Sequence, residues 1–200
     1  MKEQNEIGPD SVATERVSVE QLFRAHASFV ASFLHRLGVP RSDVDDAVQE
    51  VFTIAHRKGG FEPGLATART WLGAIALRVA SGTKRKHARR REKLESSVLA
   101  ATESQGTTAQ QRLEARDSLA RVQRALDTLD VSHRAVFVLY EIEGEDCSHI
   151  AECLGVAVGT VYSRLHTARR RFVQAHDDLV RAEGTPSEHE QLRLGSGALR

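Results

Sequence analysis

Cysteine, proline, aromatic residues and long apolar runs are all scarce in this chain, and each scarcity excludes a class of protein. Two cysteines among 200 residues rule out a disulfide framework. Cys153 follows Cys147 by six positions, about 9 Å along a helix, which is too far to bridge. With His149 they spell C-x-H-x3-C, but no fourth ligand stands nearby, so no metal is expected. No stretch approaches the roughly 20 apolar residues of a membrane span. The first eighteen residues carry charges and Gly8-Pro9 where a signal peptide would be apolar, so a soluble, cytoplasmic protein without membrane insertion is expected. The sequence also offers no phosphate-cradling glycine loop, metal-carboxylate cluster or paired nucleophile and base. Neither catalysis nor a cofactor is expected.

A net charge of +1 argues against indiscriminate binding to nucleic acid, but the mean hides a segregation. The segment KRKHARRREK at 84–93 carries seven bases against Glu92, whereas DVDDAVQE at 43–50 carries four carboxylates and no base. One surface suits phosphate and the other a basic or polar protein partner.

Helical periodicity dominates, and no strands or repeats are expected. Residues 1–18 read as disordered. A first helix from Val19 has Leu22, Phe23, Ala27, Val30, Phe33, Leu34 and Leu37 as its apolar set, and Gly38-Val39-Pro40 stops it. Ser42 is placed to cap a second helix carrying Val44, Ala47, Val48, Val51, Phe52 and Ala55. A third, from about Thr67 to Arg91, buries Trp71, Leu72, Ile75 and Val79 before it turns basic. Residues 94–111 are rich in Ser, Thr, Ala and Gln and lack periodicity, which suits a linker. Fully extended, they reach about 60 Å. A second lobe at 112–182 packs Leu119, Val122, Ala125, Leu126, Leu129, Val136, Phe137 and Leu139, and 183–200 form a patternless tail. The fold class is therefore all-α, with two small helical domains at 19–93 and 112–182.

The sharpest local signal is CSHIAECLGVAVGTVYSRLHTARRR at 147–171. Ala151, Gly155 and Val161 have the spacing of a helix-turn-helix: a small residue where helices touch, a glycine in the turn, a β-branched anchor in the second helix. Val161, Leu165, Ala168 and Phe172 form one stripe, and Tyr162, Ser163, His166 and Arg170 fall roughly opposite. The expected ligand is DNA. An ordinary amphipathic helix would have no need of the preceding half-motif.

An acidic helix with QEVF, a Trp-Leu-x2-Ile helix running into a basic segment, a linker, and a helix-turn-helix with GTV-x-SRL together resemble a bacterial sigma factor of the extracytoplasmic-function class, over roughly Val19 to Ala175. The first lobe is similar to sigma region 2 and the second to region 4. The resemblance implies a promoter-specificity subunit whose partners are core RNA polymerase, through the β′ clamp helices and the β subunit, and promoter DNA, with an anti-sigma factor as a further candidate. It implies that Asp46, Gln49, Glu50 and Phe52 contact polymerase. At the upstream element Tyr162, Ser163 and His166 would face bases, while Thr160, Arg164, Arg169, Arg170 and Arg171 hold phosphates. At the downstream element the implied contacts are Arg78, Lys84, Arg85, Lys86, Arg89 and Arg90. Two positions depart from the family pattern there: Arg78 stands where Asn is common, and Gly82 where Asp is common. Trp71 is assigned to the core rather than to base stacking. The alternative is a stand-alone helix-turn-helix regulator, which would leave the QEVF segment without a role.

Overall fold

A computed structural model describes residues 16–64, 66–94 and 110–184; the side chains of 88–94, 110–116, 183 and 184 lie outside that description. Among the described residues, seven α-helices and one π turn make up the fold. Lobe one consists of α1 (Val19–Arg36), α2 (Arg41–Arg57) and α3 (Ala68–Leu94). Lobe two consists of α4 (Gln110–Asp127), α5 (Val131–Phe137), a π turn (Val138–Ile142), α6 (Cys147–Leu154) and α7 (Val158–Gly184).

Three helices begin where a short polar side chain offers the backbone a partner. Ser18 and Gln21 form a reciprocal capping box at the head of α1. Thr67 takes the amide of Thr70 at 3.1 Å and caps α3. Asp130 accepts the amides of Ser132 and His133 to start α5. Burial works against the charge of Asp130, but hydrogen bonds from the Ser132 hydroxyl and the two amides outweigh it, and its pKa sits at about 2. At α2 the expected cap is wrong: Pro40 occupies that position and Ser42, inside the first turn, bonds Asp43 instead. Proline suits the start because its fixed φ is compatible with helix entry.

Residues 16–18 are not part of the disordered segment anticipated at 1–18. The backbones of Val17 and Phe61 exchange two hydrogen bonds of 2.8 and 3.0 Å, fastening the chain to the loop before α3. Gly60 makes this possible, with φ +84 and the Val17 carbonyl oxygen 2.4 Å from where a Cβ would stand. The linker expected at 94–111 is helical at Leu94, Gln110 and Gln111, and the expected tail at 183–200 is helical at Glu183 and Gly184. The remainder of both segments, like 1–15, lies outside the described residues.

The core of lobe one holds Leu22, Val30, Phe33, Leu34, Val51, Ala55, Leu72, Ile75 and Val79. That of lobe two holds Leu126, Leu129, Val136, Val138, Leu139, Ile150, Val161, Leu165 and Ala168. Fully burying one such aliphatic side chain contributes about 1.5–3 kcal/mol. Two residues expected inside are outside: Phe23 and Leu119, 50% and 70% exposed. Phe23 lies at the edge of the α1 stripe, where its ring rests on Phe52 and its other face is left to solvent. Trp71 is half-buried against Phe61.

The lobes do not hang separately on their linker. The first half of α3 packs against α5 and α6, and Gly73 marks the closest approach: a Cβ there would stand 2.9 Å from the Leu139 side chain. The buried residues of both lobes form one continuous cluster.

Gly82, by contrast, faces open space, with no atom within 4 Å of a built Cβ. Gly82→Ala should therefore raise stability by about 0.5–1 kcal/mol, the helix penalty of glycine. An upward shift of the urea midpoint at unchanged slope checks this; a downward shift would mean that the helix there depends on the missing side chain.

Candidate nucleic-acid and partner interfaces

The acidic face of α2 is built by its amphipathic pattern. With Ala47, Val51 and Ala55 buried, Asp46, Gln49 and Glu50 are turned to solvent. Phe52 is placed differently, only 6% exposed beneath Phe23, whose ring meets it edge-on at 5.0 Å. A shallow hollow lined by Phe23, Val48, Gln49, Phe52, Thr53 and His56 adjoins the carboxylates. Phe23 is thus the accessible aromatic of this face, and sequence reasoning missed it by assigning it to the core.

On the opposite flank of α2 a groove separates it from α3. Asp43, Asp46 and Glu50 line one wall, and Arg78, Lys86 and His87 the other. Residues expected at two different interfaces, polymerase and downstream DNA, therefore share this groove. His87 bonds Asp43 across it at 2.5 Å, tethering the basic extension of α3 to the head of α2. Hydrogen bonds from His87 and then Ser42 hold the Asp43 carboxyl below its ordinary value. Arg78, Lys84, Arg85 and Lys86 are exposed. The side chains of Arg89 and Arg90 lie outside the described residues.

The helix-turn-helix has the geometry its sequence requires. Helix α6 ends at Gly155, whose φ of 66 and ψ of 39 let its amide return to the Ala151 and Glu152 carbonyls. Ala151 is buried at the crossing of α6 and α7, and Val161, Leu165 and Ala168 anchor α7. Phe172 packs on Phe137 with centroids 4.8 Å apart. Tyr162, Ser163, His166, Arg170 and Arg171 are left exposed, with Thr160 and Arg164 half-buried beside them. Ser163 bonds the Thr160 carbonyl at 3.0 Å, so its hydroxyl is steered along the helix. Arg169 is engaged within its own lobe. It pairs with Glu141 and stacks on Tyr140 at 5.2 Å, and the hydrogen bond it donates to Glu141 pushes the guanidinium pKa up. The three consecutive arginines are consequently not equivalent.

The thiols are free, Cys147 buried and Cys153 half-buried. Burial pushes the Cys153 thiol up to about 11 and the Cys147 thiol in the same direction, so neither is a ready nucleophile at neutral pH. Among the described residues no group of three His, Cys, Asp or Glu side chains is placed to hold a metal. No helix there is long and apolar enough to cross a membrane.

Two family descriptions match the chain in order: Sigma-70 region 2 over residues 22–90 and Sigma-70, region 4 over 119–172. The ECF RNA polymerase sigma factor SigM of Mycobacterium tuberculosis is 31% identical over 163 residues, covering 82% of this chain and 79% of that protein. The RNA polymerase sigma factor CnrH of Cupriavidus metallidurans is 33% identical over 159 residues, covering 76% and 83%. Among solved structures, CnrH in complex with the cytosolic domain of CnrY matches at TM-score 0.56 and 28% identity, over 80% of this chain and 88% of that one. The sigma factor RpoE in complex with the anti-sigma factor NepR from Bartonella quintana matches at TM-score 0.60 and 22% identity, over 78% and 94%, a likeness of fold.

The Asp43–His87 tether predicts a titration. The folded pKa of Asp43 lies below its unfolded value, so the contact adds stability at neutral pH and loses it as pH falls through the Asp43 titration. In His87→Ala the Asp43 carboxyl should titrate higher and the acid limb of the stability curve should flatten. Carboxyl-carbon NMR and urea unfolding between pH 2 and 6 check both, and an unmoved Asp43 titration would exclude the tether.

Proposed function

The chain belongs to the sigma-70 family, among the extracytoplasmic-function sigma factors, and from that premise we propose how its surfaces share the work of a promoter-specificity subunit of RNA polymerase. It binds core polymerase, recognises two promoter elements and assists melting. In this reading it has no catalytic activity of its own, acts in the cytoplasm, and supplies recognition while polymerase supplies the chemistry. A stand-alone regulator is not favoured, because regions 2 and 4 both match, in family order.

The observation that carries the division of labour is the pair of exposed faces on different lobes: carboxylates on α2 and a polar stripe on α7, each backed by a buried apolar stripe. Asp46, Gln49 and Glu50 contact polymerase, with Phe23 as the apolar contact that Phe52 supports from below. Such an edge, charged around an accessible aromatic, fits the usual anatomy of a protein interface. Tyr162, Ser163 and His166 read upstream base edges. Arg170 and Arg171 bind phosphate with Thr160 and Arg164; Arg169 contributes once it exchanges Glu141 for phosphate. Arg78, Lys84, Arg85 and Lys86, continued by Arg89 and Arg90, serve the downstream element. Residues 19–93 and 112–182 are the working domains. An anti-sigma factor as partner is supported by two solved relatives, one held by the anti-sigma factor NepR and one by the cytosolic domain of CnrY. Run-off transcription with purified core polymerase and a genomic promoter library tests the whole reading, since a chain that directs no promoter-specific transcript is not acting as a sigma subunit.

Reversing Asp46 and Glu50 to Lys should weaken polymerase association while stability changes by about 0.5 kcal/mol or less, because both are exposed; charge reversal at an interface can cost several kcal/mol. Phe23→Ser should weaken it too. Pull-down with core enzyme, alongside circular dichroism, checks both variants. Undiminished binding would remove this face from the interface.

On α7 the expected effects divide by contact type. Ser163→Ala or His166→Ala should change the preferred upstream base, each lost base contact being worth about 1–3 kcal/mol at one position. Arg170→Ala or Arg171→Ala should weaken all promoters alike and lower the salt slope by about one unit. Holoenzyme affinities over a panel of upstream variants at several salt concentrations separate the two classes. Unaltered base preference in both Ser163→Ala and His166→Ala would refute the reading face.

A further inference from the structure

Among the described side chains of α3 the buried run stops at Ala80, and Ser81, Gly82 and Thr83 then form a weak stretch of helix. Glycine costs a helix interior about 1 kcal/mol relative to alanine, and nothing stands within 4 Å of where a Cβ at Gly82 would be. On either side of it the Ser81 hydroxyl donates to the Leu77 carbonyl at 2.7 Å and the Thr83 hydroxyl to the Val79 carbonyl at 3.2 Å. Hydroxyls bonded in this way loosen and bend the helix that carries them, and glycine–serine pairs are common kink points. Beyond the weak stretch Lys84, Arg85 and Lys86 are exposed. Among the described side chains past Gly82, only His87 hydrogen-bonds another element, meeting Asp43 in the first turn of α2 at 2.5 Å. Asp43 is itself held, by the Ser42 hydroxyl at 2.8 Å and by the positive end of α2. The bond therefore spans the weak stretch from a fixed anchor.

We propose that Ser81-Gly82-Thr83 is a hinge within α3 and that His87 is a positioning residue, which through Asp43 aims the basic extension at the downstream phosphates. The proposal rests on the sigma reading given above, in which Lys84, Arg85 and Lys86 serve the downstream element. Phosphate contacts fix register only when the charges arrive at a set spacing and direction. An extension swinging on its hinge carries the same charge but must be ordered at each binding event, and that ordering weakens the complex. The bond to Asp43 lowers the cost beforehand. Asp43 also separates this role from simple attraction. It shares its groove with Arg78 and Lys86, and an anion beside a phosphate-binding surface repels phosphate. By charge alone, removing Asp43 strengthens DNA binding; by positioning, it weakens it. The two effects differ in sign.

Amide hydrogen exchange on the full-length free chain reads the hinge with neither polymerase nor promoter. His87→Ala and Asp43→Ala should each speed exchange at residues 84–87 by about tenfold, with the core of lobe one unchanged. Gly82→Ala added to either should restore slow exchange. His87→Gln, whose amide keeps a donor for Asp43, should stay near wild type. In holoenzyme, His87→Ala and Asp43→Ala should each weaken promoter affinity about three- to tenfold, as expected if a freed extension is correctly aimed for about a third to a tenth of the time. Core-polymerase affinity should not move. The salt slope of His87→Ala should match wild type, whereas Lys86→Ala, which removes a phosphate contact, should lower it by about one unit. Gly82→Ala should recover most of the His87→Ala loss. Tighter promoter binding by Asp43→Ala, a His87→Ala loss that Gly82→Ala leaves in place, or unmoved exchange would each overturn the positioning role. A wild-type chain that directs no promoter-specific transcript would overturn the sigma reading instead, and exchange in the free chain would still decide the hinge.

Discussion

The joint between the lobes depends on one buried cation. Arg134 has 3% of its surface exposed, and burial presses its pKa downward against the opposing pull of Asp127. A guanidinium in that setting needs most of its donors used, and here the terminal nitrogens are bonded while the buried Nε has no partner. Asp127 takes one at 2.7 Å, the Leu129 carbonyl another at 3.0 Å, and the Arg36 carbonyl a longer contact at 3.4 Å. One side chain thereby fixes the turn between α4 and α5 and meets the C-terminal end of α1, where a cation is favoured by the helix dipole. A side chain at Gly38 would intrude on it, since a Cβ there would lie 2.7 Å from the guanidinium. The short turn ending α1 and the heart of lobe two are thus mutually constrained.

From that joint the rest of the electrostatics follows in pairs. The π turn inserts an extra residue and alters the register of the chain as it leaves α5. Glu141 then meets Arg169 of α7, while Glu143 and Glu145 meet lobe one. The carboxylates of one short segment therefore engage the arginine run of α7 and the entry of α3 together. The exposed charges left over, on α2, α3 and α7, are those available to partners.

Much of this was legible in sequence because it is written in short-range periodicity. The stripes of α1, α2 and α7, the left-handed Gly155 and the segregation of acidic and basic segments need only neighbours within a few turns, and the family resemblance rests on their order. Phe23 and Leu119 misled because an apolar residue type does not say how far from the inner arc of its helix it lies. Ser42 misled because a capping residue type is common and proline displaced it by two positions. Phe52 and Arg169, both expected as contacts, belong to types equally suited to a core and to an ion pair.

The sequence by itself determined the helices, their solvent faces, the helix-turn-helix and the family, since each depends on residues close along the chain whose chemistry has few alternatives. Only the tertiary structure decided that Glu143 and Glu145 face Arg36, Arg69, Thr67 and Thr70, that Gly73 receives Leu139, and that Asp43 holds His87. Those partners lie tens of residues apart. A carboxylate in an acidic loop looks the same in sequence whether it meets water or a helix end, and the packing of two lobes alone makes that choice.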